Sequence, residues 1–227
     1  MKKLIDLSLP NLADMQIIGM ENIPATEPLI VVGNHFSFLD PVAIIHVMTR
    51  PIEFLGGKTL PNSPSYVTWI PRLWGYVPVH RGSSSRDAIT RAKKILDTGG
   101  LLGIFPEGGS WAKVLRPARP GAALIAARTG SRLLPIGIDG LTEMFPSLRK
   151  GKRAHITLRI GEPFGPFIES VRNRADRQKM NDVGDVIMRQ IAALIPDGQR
   201  GCYSNDPSVR EAALGTEIYP WEYTAEV

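Results

Sequence analysis

The 227-residue chain carries 43% hydrophobic and 22% charged residues, the make-up of a globular protein with one large domain or two small ones, and no apolar run reaches the about 18 residues a membrane-spanning helix needs. Its single cysteine, Cys202, excludes an intrachain disulfide and a cysteine-cluster metal site. Net charge is +5, but residues 196–227 carry −4, so the first 195 carry +9; such a basic body with an acidic tail suits a polyanionic partner or a plain solvated surface.

In chain order, the start M-K-K-L-I-D is too short, and too soon interrupted by Asp6, for a signal peptide, so a cytoplasmic location is the default expectation. Short runs rich in Ile, Leu and Val bounded by Gly or Pro predict strands at Gln16–Gly19, Leu29–Gly33, Ile52–Leu55, Tyr76–Val79, Leu101–Phe105, Leu133–Ile138 and His155–Ile160. Amphipathic stretches predict helices at Pro41–Thr49, Ser65–Leu73, Ser85–Asp97, Ala118–Thr129 and Ala175–Leu194. Gly99-Gly100 and Gly130 stand where two of these helices should stop. Alternating strands and helices imply a single α/β domain over residues 1–195, with a mostly parallel or mixed central sheet of about seven strands flanked by helices. Residues 196–227 form an acidic C-terminal extension, packed or loose.

In such sheets chemistry gathers outside the carboxyl ends of the strands. Three predicted strands run into polar clusters there: Leu29–Gly33 into N-H-F-S-F-L-D, Tyr76–Val79 into H-R-G-S-S-S, and Leu101–Phe105 into P-E-G-G-S-W. In the first, His35 is a general-base candidate and Asp40 the carboxylate that would orient it. By spacing alone, Asp40-Pro41 equally reads as a plain helix start. His46, His80 and His155 lack a comparable nearby carboxylate and setting and read as structural or surface residues. Ser37 lies near His35, but no Gly-x-Ser-x-Gly elbow marks a serine nucleophile, and Ser37 reads as a helix cap. A base without its own nucleophile points to a nucleophile brought by the substrate, such as a hydroxyl. In the second cluster, Arg81 offers a fork suited to phosphate. In the third, Glu107 sits in a tight small-residue loop, with Arg116 and Arg119 downstream.

Together these stretches resemble the glycerolphosphate and lysophosphatidate acyltransferase superfamily. Its Asn-His-x4-Asp signature appears as N-H-F-S-F-L-D, its Gly-to-Arg signature as G-Y-V-P-V-H-R with Gly75 and Arg81, its Phe-Pro-Glu-Gly signature as F-P-E-G-G-S, and its apolar strand with proline as L-L-P-I-G-I with Pro135. The four occur in family order over roughly residues 30–140. The family's Thr-Arg after Pro-Glu-Gly is Gly109-Ser110 here, so one phosphate-binding arginine is missing.

The resemblance implies transfer of a fatty acyl group from a thioester, acyl-CoA or acyl carrier protein, to a hydroxyl of a phosphorylated glycerolipid such as lysophosphatidate, in phospholipid synthesis. His35 and Asp40 would be catalytic, with oxyanion donors among the backbone N–H groups of Asn34–Ser37. Arg81 would anchor the acceptor phosphate, Glu107 and Gly108 would shape the acceptor pocket, and Arg116 or Arg119 would replace the missing arginine. No metal or cofactor beyond the thioester co-substrate is implied. Alternatives are a thioester hydrolase, or a transferase with a different lipid or polar acceptor. A peripheral place at the inner membrane face is expected. Ser65–Trp74, with Tyr66, Trp69, Trp74 and Arg72, is an interfacial candidate or a core helix. Lys2, Lys3, Arg149, Lys150, Lys152 and Arg153 are headgroup candidates or solvated loop residues. No nucleic-acid motif is present.

Overall fold

A computed structural model describes residues 2–57, 76–79, 85–167 and 174–218. The predicted helix Ser65–Leu73, the interfacial stretch to Trp74, Gly75, His80 and Arg81 lie outside these. Among the described residues seven strands form one sheet: β1 (Ala13–Ile18), β2 (Leu29–Gly33), β3 (Ile52–Gly57), β4 (Tyr76–Val79), β5 (Leu101–Ile104), β6 (Arg132–Asp139) and β7 (Ala154–Ile160). Their order is β1-β7-β6-β2-β5-β3-β4. The five strands from β6 to β4 run parallel, β7 is antiparallel to β6, and β1 is parallel to β7. This is the mixed, mainly parallel sheet expected. It puts the chain segments that leave β2, β5 and β6 at one end.

Helices cover both faces of the sheet: α1 (Lys2–Leu12), α2 (Asp40–Val47), α3 (Ser85–Asp97), α4 (Pro120–Thr129), α5 (Met144–Arg149), α6 (Arg174–Ala192) and a short α7 (Pro207–Ala212). The pleat of β2 sends Ile30 and Val32 into a core shared with α3, α4 and α6, while Leu29 and Val31 enter a second core with α1 and α2. All five β2 residues are buried, as befits a central strand covered on both faces; each such aliphatic side chain contributes about 1.5–3 kcal/mol. α3 stops where Gly99 and Gly100 donate back to the Leu96 and Ile95 carbonyls at 2.9 Å each.

Boundaries shift where tertiary pairing overrides local pattern. β1 begins at Ala13 rather than Gln16, because β7 templates it from Ala154 onward. α4 starts at Pro120 rather than Ala118, since proline fits the first helical turn. α1 was not expected from the sequence. It buries Ile5 and Leu9 and docks on α2, where Lys2 Nζ donates to the His46 carbonyl at 2.7 Å and pairs with Asp6 at 3.0 Å.

Candidate active site

The chain leaves β2 through Asn34, whose side chain continues the sheet. Its Nδ2 donates to the Ile138 carbonyl at 2.8 Å, and its Oδ1 accepts the Ile138 N–H at 2.7 Å. The fully buried amide so locks the β2 exit to β6 and fixes where His35 begins.

His35 is held at three points. Its backbone N–H donates to Glu107 Oε1 at 2.7 Å, its Nδ1 lies 2.9 Å from Asp40 Oδ2, and its ring stacks on Phe105 at 4.1 Å and 18°. Phe105 in turn stacks on Phe54 at 5.8 Å. Gly103 makes room for this column, since a Cβ there would lie 2.4 Å from the Phe54 ring. The His35 side chain keeps 17% of its surface exposed, whereas Asp40 keeps 1%.

Asp40 does not cap α2. Its carboxylate turns back, and Oδ2 accepts the N–H groups of Phe36 and Ser37 at 2.8 Å each, besides the imidazole. An oxygen already accepting two N–H donors is the acceptor toward the ring as well, so Nδ1 carries the proton and Nε2 of the neutral ring has a free lone pair. Burial raises the Asp40 carboxyl above its ordinary value, opposed by the His35 and backbone hydrogen bonds. Ser37 does not cap α2, whose N-cap is Leu39 without a side-chain bond; its Oγ instead closes a turn by accepting the Leu39 N–H at 3.2 Å.

The same bonds overturn one expectation at three of its four residues. The N–H groups of His35, Phe36 and Ser37 are committed to Glu107 and Asp40, so they do not form a free oxyanion site.

Glu107, also buried, bridges two segments. Oε1 takes the His35 amide; Oε2 takes Arg116 Nε at 3.0 Å and the Arg116 amide at 3.3 Å. Burial pushes its carboxyl up to about 7 although Arg116 opposes this. Gly108 follows at φ 78°, a left-handed turn closed by its N–H on the Phe105 carbonyl at 3.1 Å. The buried Arg116 guanidinium also donates to the Gly109 carbonyl and lies 3.5 Å over the Trp111 ring. Among the described residues, no group of three His, Cys, Asp or Glu side chains could hold a metal ion.

Residues 14–139, more than half of the chain, match the family model described as Acyltransferase. The chain belongs to the acyltransferase family. It is 32% identical over 142 residues to a 1-acyl-sn-glycerol-3-phosphate acyltransferase of Borreliella burgdorferi, covering 59% of this chain and 55% of that protein. It is 30% identical over 148 residues to the chloroplastic 1-acyl-sn-glycerol-3-phosphate acyltransferase BAT2 of Brassica napus, covering 63% of this chain and 42% of that one. The match thus spans about half of these relatives' own length. The crystal structure of the 1-acyl-sn-glycerophosphate (LPA) acyltransferase PlsC from Thermotoga maritima superposes with a TM-score of 0.57 at 26% identity, over 85% of this chain and 79% of that one.

Within this acyltransferase fold, the third-cluster arginines point in unexpected directions. Arg116 faces Glu107 rather than solvent, so it would reach an anion only if that pair opened. Arg119 NH2 donates to the Glu217 carbonyl at 2.7 Å, tying the loop to the C-terminal extension. Trp111 Nε1 and the Leu115 amide make similar bonds, to the Thr216 and Gln199 carbonyls at 2.8 Å each, so residues 197–217 pack against the loop.

Against expectation, two of the other histidines, His46 and His155, do have carboxylates beside them; His80 lies outside the described residues. His46 Nδ1 lies 2.8 Å from Asp6 and His155 Nδ1 2.8 Å from Asp14. Neither acid is enclosed: Asp6 and Asp14 keep 38% and 60% of their side chains exposed. Spacing missed the Asn34 clamp and the Phe105 stack, although both residues sat inside the quoted motifs. It also missed a pocket of about 350 Å³ beside Asp40, lined by residues far apart in sequence.

Proposed function

We propose that this protein transfers a fatty acyl group from a thioester, acyl-CoA or acyl carrier protein, to a hydroxyl of a phosphorylated glycerolipid acceptor such as lysophosphatidate. The observation that carries the reading is the His35–Asp40 contact of 2.9 Å, with the acid enclosed and the imidazole partly open. Nε2 takes the proton of the acceptor hydroxyl as its oxygen attacks the thioester carbonyl. Asp40 then faces an imidazolium across a short charge-assisted bond. When the tetrahedral intermediate collapses, the C–S bond breaks and the thiolate leaves with the proton from Nε2. A positioned base contributes about 10²–10⁴-fold, and joint binding of donor and acceptor supplies much of the rest.

Arg81 anchors the acceptor phosphate in this reading. Gly108 and Glu107 set the loop beside the acceptor, Glu107 by holding the His35 amide. Arg116 braces Glu107, and Arg119 is the downstream arginine placed nearer the surface. Residues 1–195 are the catalytic body and 196–227 an extension, of which Gln199, Thr216 and Glu217 bond to the active-site loop. Peripheral membrane contact at the inner face is supported by α1, where Leu4 and Leu7 stay 66% and 68% exposed beside Lys3. Lys2 and Arg153 serve other ends: Lys2 binds Asp6, and Arg153 donates to the Pro10 and Ala13 carbonyls.

The test offers acyl-CoA and acyl carrier protein donors with glycerol phosphate, lysophosphatidate and neutral acceptors, and identifies products by mass. An acylated phosphorylated acceptor, lost in Arg81→Ala, is the expected result. Free fatty acid released at equal rates with and without acceptor would replace transfer by hydrolysis.

A further inference from the structure

We propose that the pocket beside Asp40 is a second substrate subsite, built for an uncharged polar group that donates hydrogen bonds and not for a phosphate. The inference rests on the acyl-transfer reading given above.

The pocket encloses about 350 Å³ and is lined by Asp40, Lys113, Asp139, Glu143, Gly198 and Gln199 among others. It lies over the carboxyl end of β6, on the opposite side of β2 from β5, β3 and β4. It therefore adjoins the acid that steadies His35, and the loop that carries Glu107 reaches it at Lys113 and Val114. Gly140 opens it with φ 82°; a Cβ there would meet the His155 carbonyl oxygen at 2.0 Å, so only glycine turns the chain at this point.

Its chemistry is lopsided. Asp40, Asp139 and Glu143 bring three carboxyl groups against one ammonium, Lys113, which makes a dianionic phosphate a poor occupant. Gln199 Nε2 donates to Asp139 Oδ1 at 2.6 Å, which turns Gln199 Oε1 into an enclosed acceptor with no partner among the described residues. Among the ionisable side chains of the lining acceptors thus outnumber donors, and an unpaired enclosed acceptor gains most from a ligand that donates. Lysophosphatidate does not answer this: its one hydroxyl is the reacting group, and its ionised phosphate mainly accepts. Two sources of the right chemistry remain near the reaction. One is the amide- and hydroxyl-bearing pantetheine arm that both kinds of thioester donor share. The other is a hydroxyl-bearing head group on the acceptor beyond its phosphate.

Two variants of the full chain test this. Gly198→Trp fills the pocket from a position where an added Cβ meets nothing within 4 Å, and Gln199→Leu removes the enclosed acceptor. Each is checked for folding by its melting curve. Rates are compared for an acyl-CoA against the N-acetylcysteamine thioester of the same acyl group, and for lysophosphatidylglycerol against lysophosphatidate. A fall of about tenfold in the first ratio of kcat/KM assigns the pocket to the donor arm, and in the second to the acceptor head group; both support the proposal. Both ratios within twofold of wild type in both folded variants would overturn it. Ligand-observed NMR with pantetheine and with glycerol keeps the two readings apart. If wild type transfers nothing, binding of either probe that both variants lose still supports a subsite, and binding of neither probe removes it.

Discussion

Glu107→Gln tests the electrostatics of the loop that holds His35. In the wild type the carboxyl is buried, and its pKa is raised from 4.5 to about 7. A raised carboxyl contributes stability that is fully present below the unfolded value and is lost as pH rises through the folded value. Between pH 5 and pH 8, a shift of that size removes about 2–3 kcal/mol from the wild type, at about 1.4 kcal/mol per pH unit. Glutamine keeps the shape and cannot ionise, so the variant lacks this loss. Other titrating groups are common to both proteins and cancel in the difference. For a chain of this size each kcal/mol moves Tm by about 2–4 °C. Circular dichroism melts at the two pH values should show the wild type losing about 5–10 °C more than Glu107→Gln. A difference between the two proteins that is the same at both pH values would refute the assignment.

Other substitutions probe neighbouring parts of the site. Asp40→Asn replaces a charge-assisted bond to His35 by a neutral one and should lower kcat by about 10²-fold or more, measured under saturating substrates. Asn34→Ala strands the buried N–H and carbonyl of Ile138 and should cost about 2–4 kcal/mol, read in chemical denaturation. Gly103→Ala drives a methyl group into the Phe54 ring and should cost about 1–3 kcal/mol. Because Phe54 and Phe105 back the His35 ring, that variant should lose kcat as well.

Local pattern carried much of the fold. The bounds of β2, β4 and α3 follow from apolar runs and end signals within a few residues. α1 was illegible because it is eleven residues with Pro10 inside it and only Ile5 and Leu9 buried. Its stability comes from docking on α2, which no window on residues 2–12 contains. At the site, the short His35–Asp40 spacing was visible because both ends belong to one turn. The His46–Asp6 pair spans 40 residues, and only the fold brings it together. Arg116 shows the same limit from the opposite side. A loop arginine near a motif looks like an anion ligand until packing reveals that its partner, Glu107, is already inside. The pocket at Asp139 and Gln199 joins residues 60 apart and has no sequence signature.

The central claim is that the His35 imidazole, held by Asp40, takes the proton of the acceptor hydroxyl. The most direct measurement is kcat of His35→Ala with a thioester donor and a phosphorylated glycerolipid acceptor at saturation, beside a melting curve showing the fold intact. The account predicts a fall of about 10²–10⁴-fold. A folded variant that turns over within about threefold of the wild type, less than 1 kcal/mol of barrier, would contradict it.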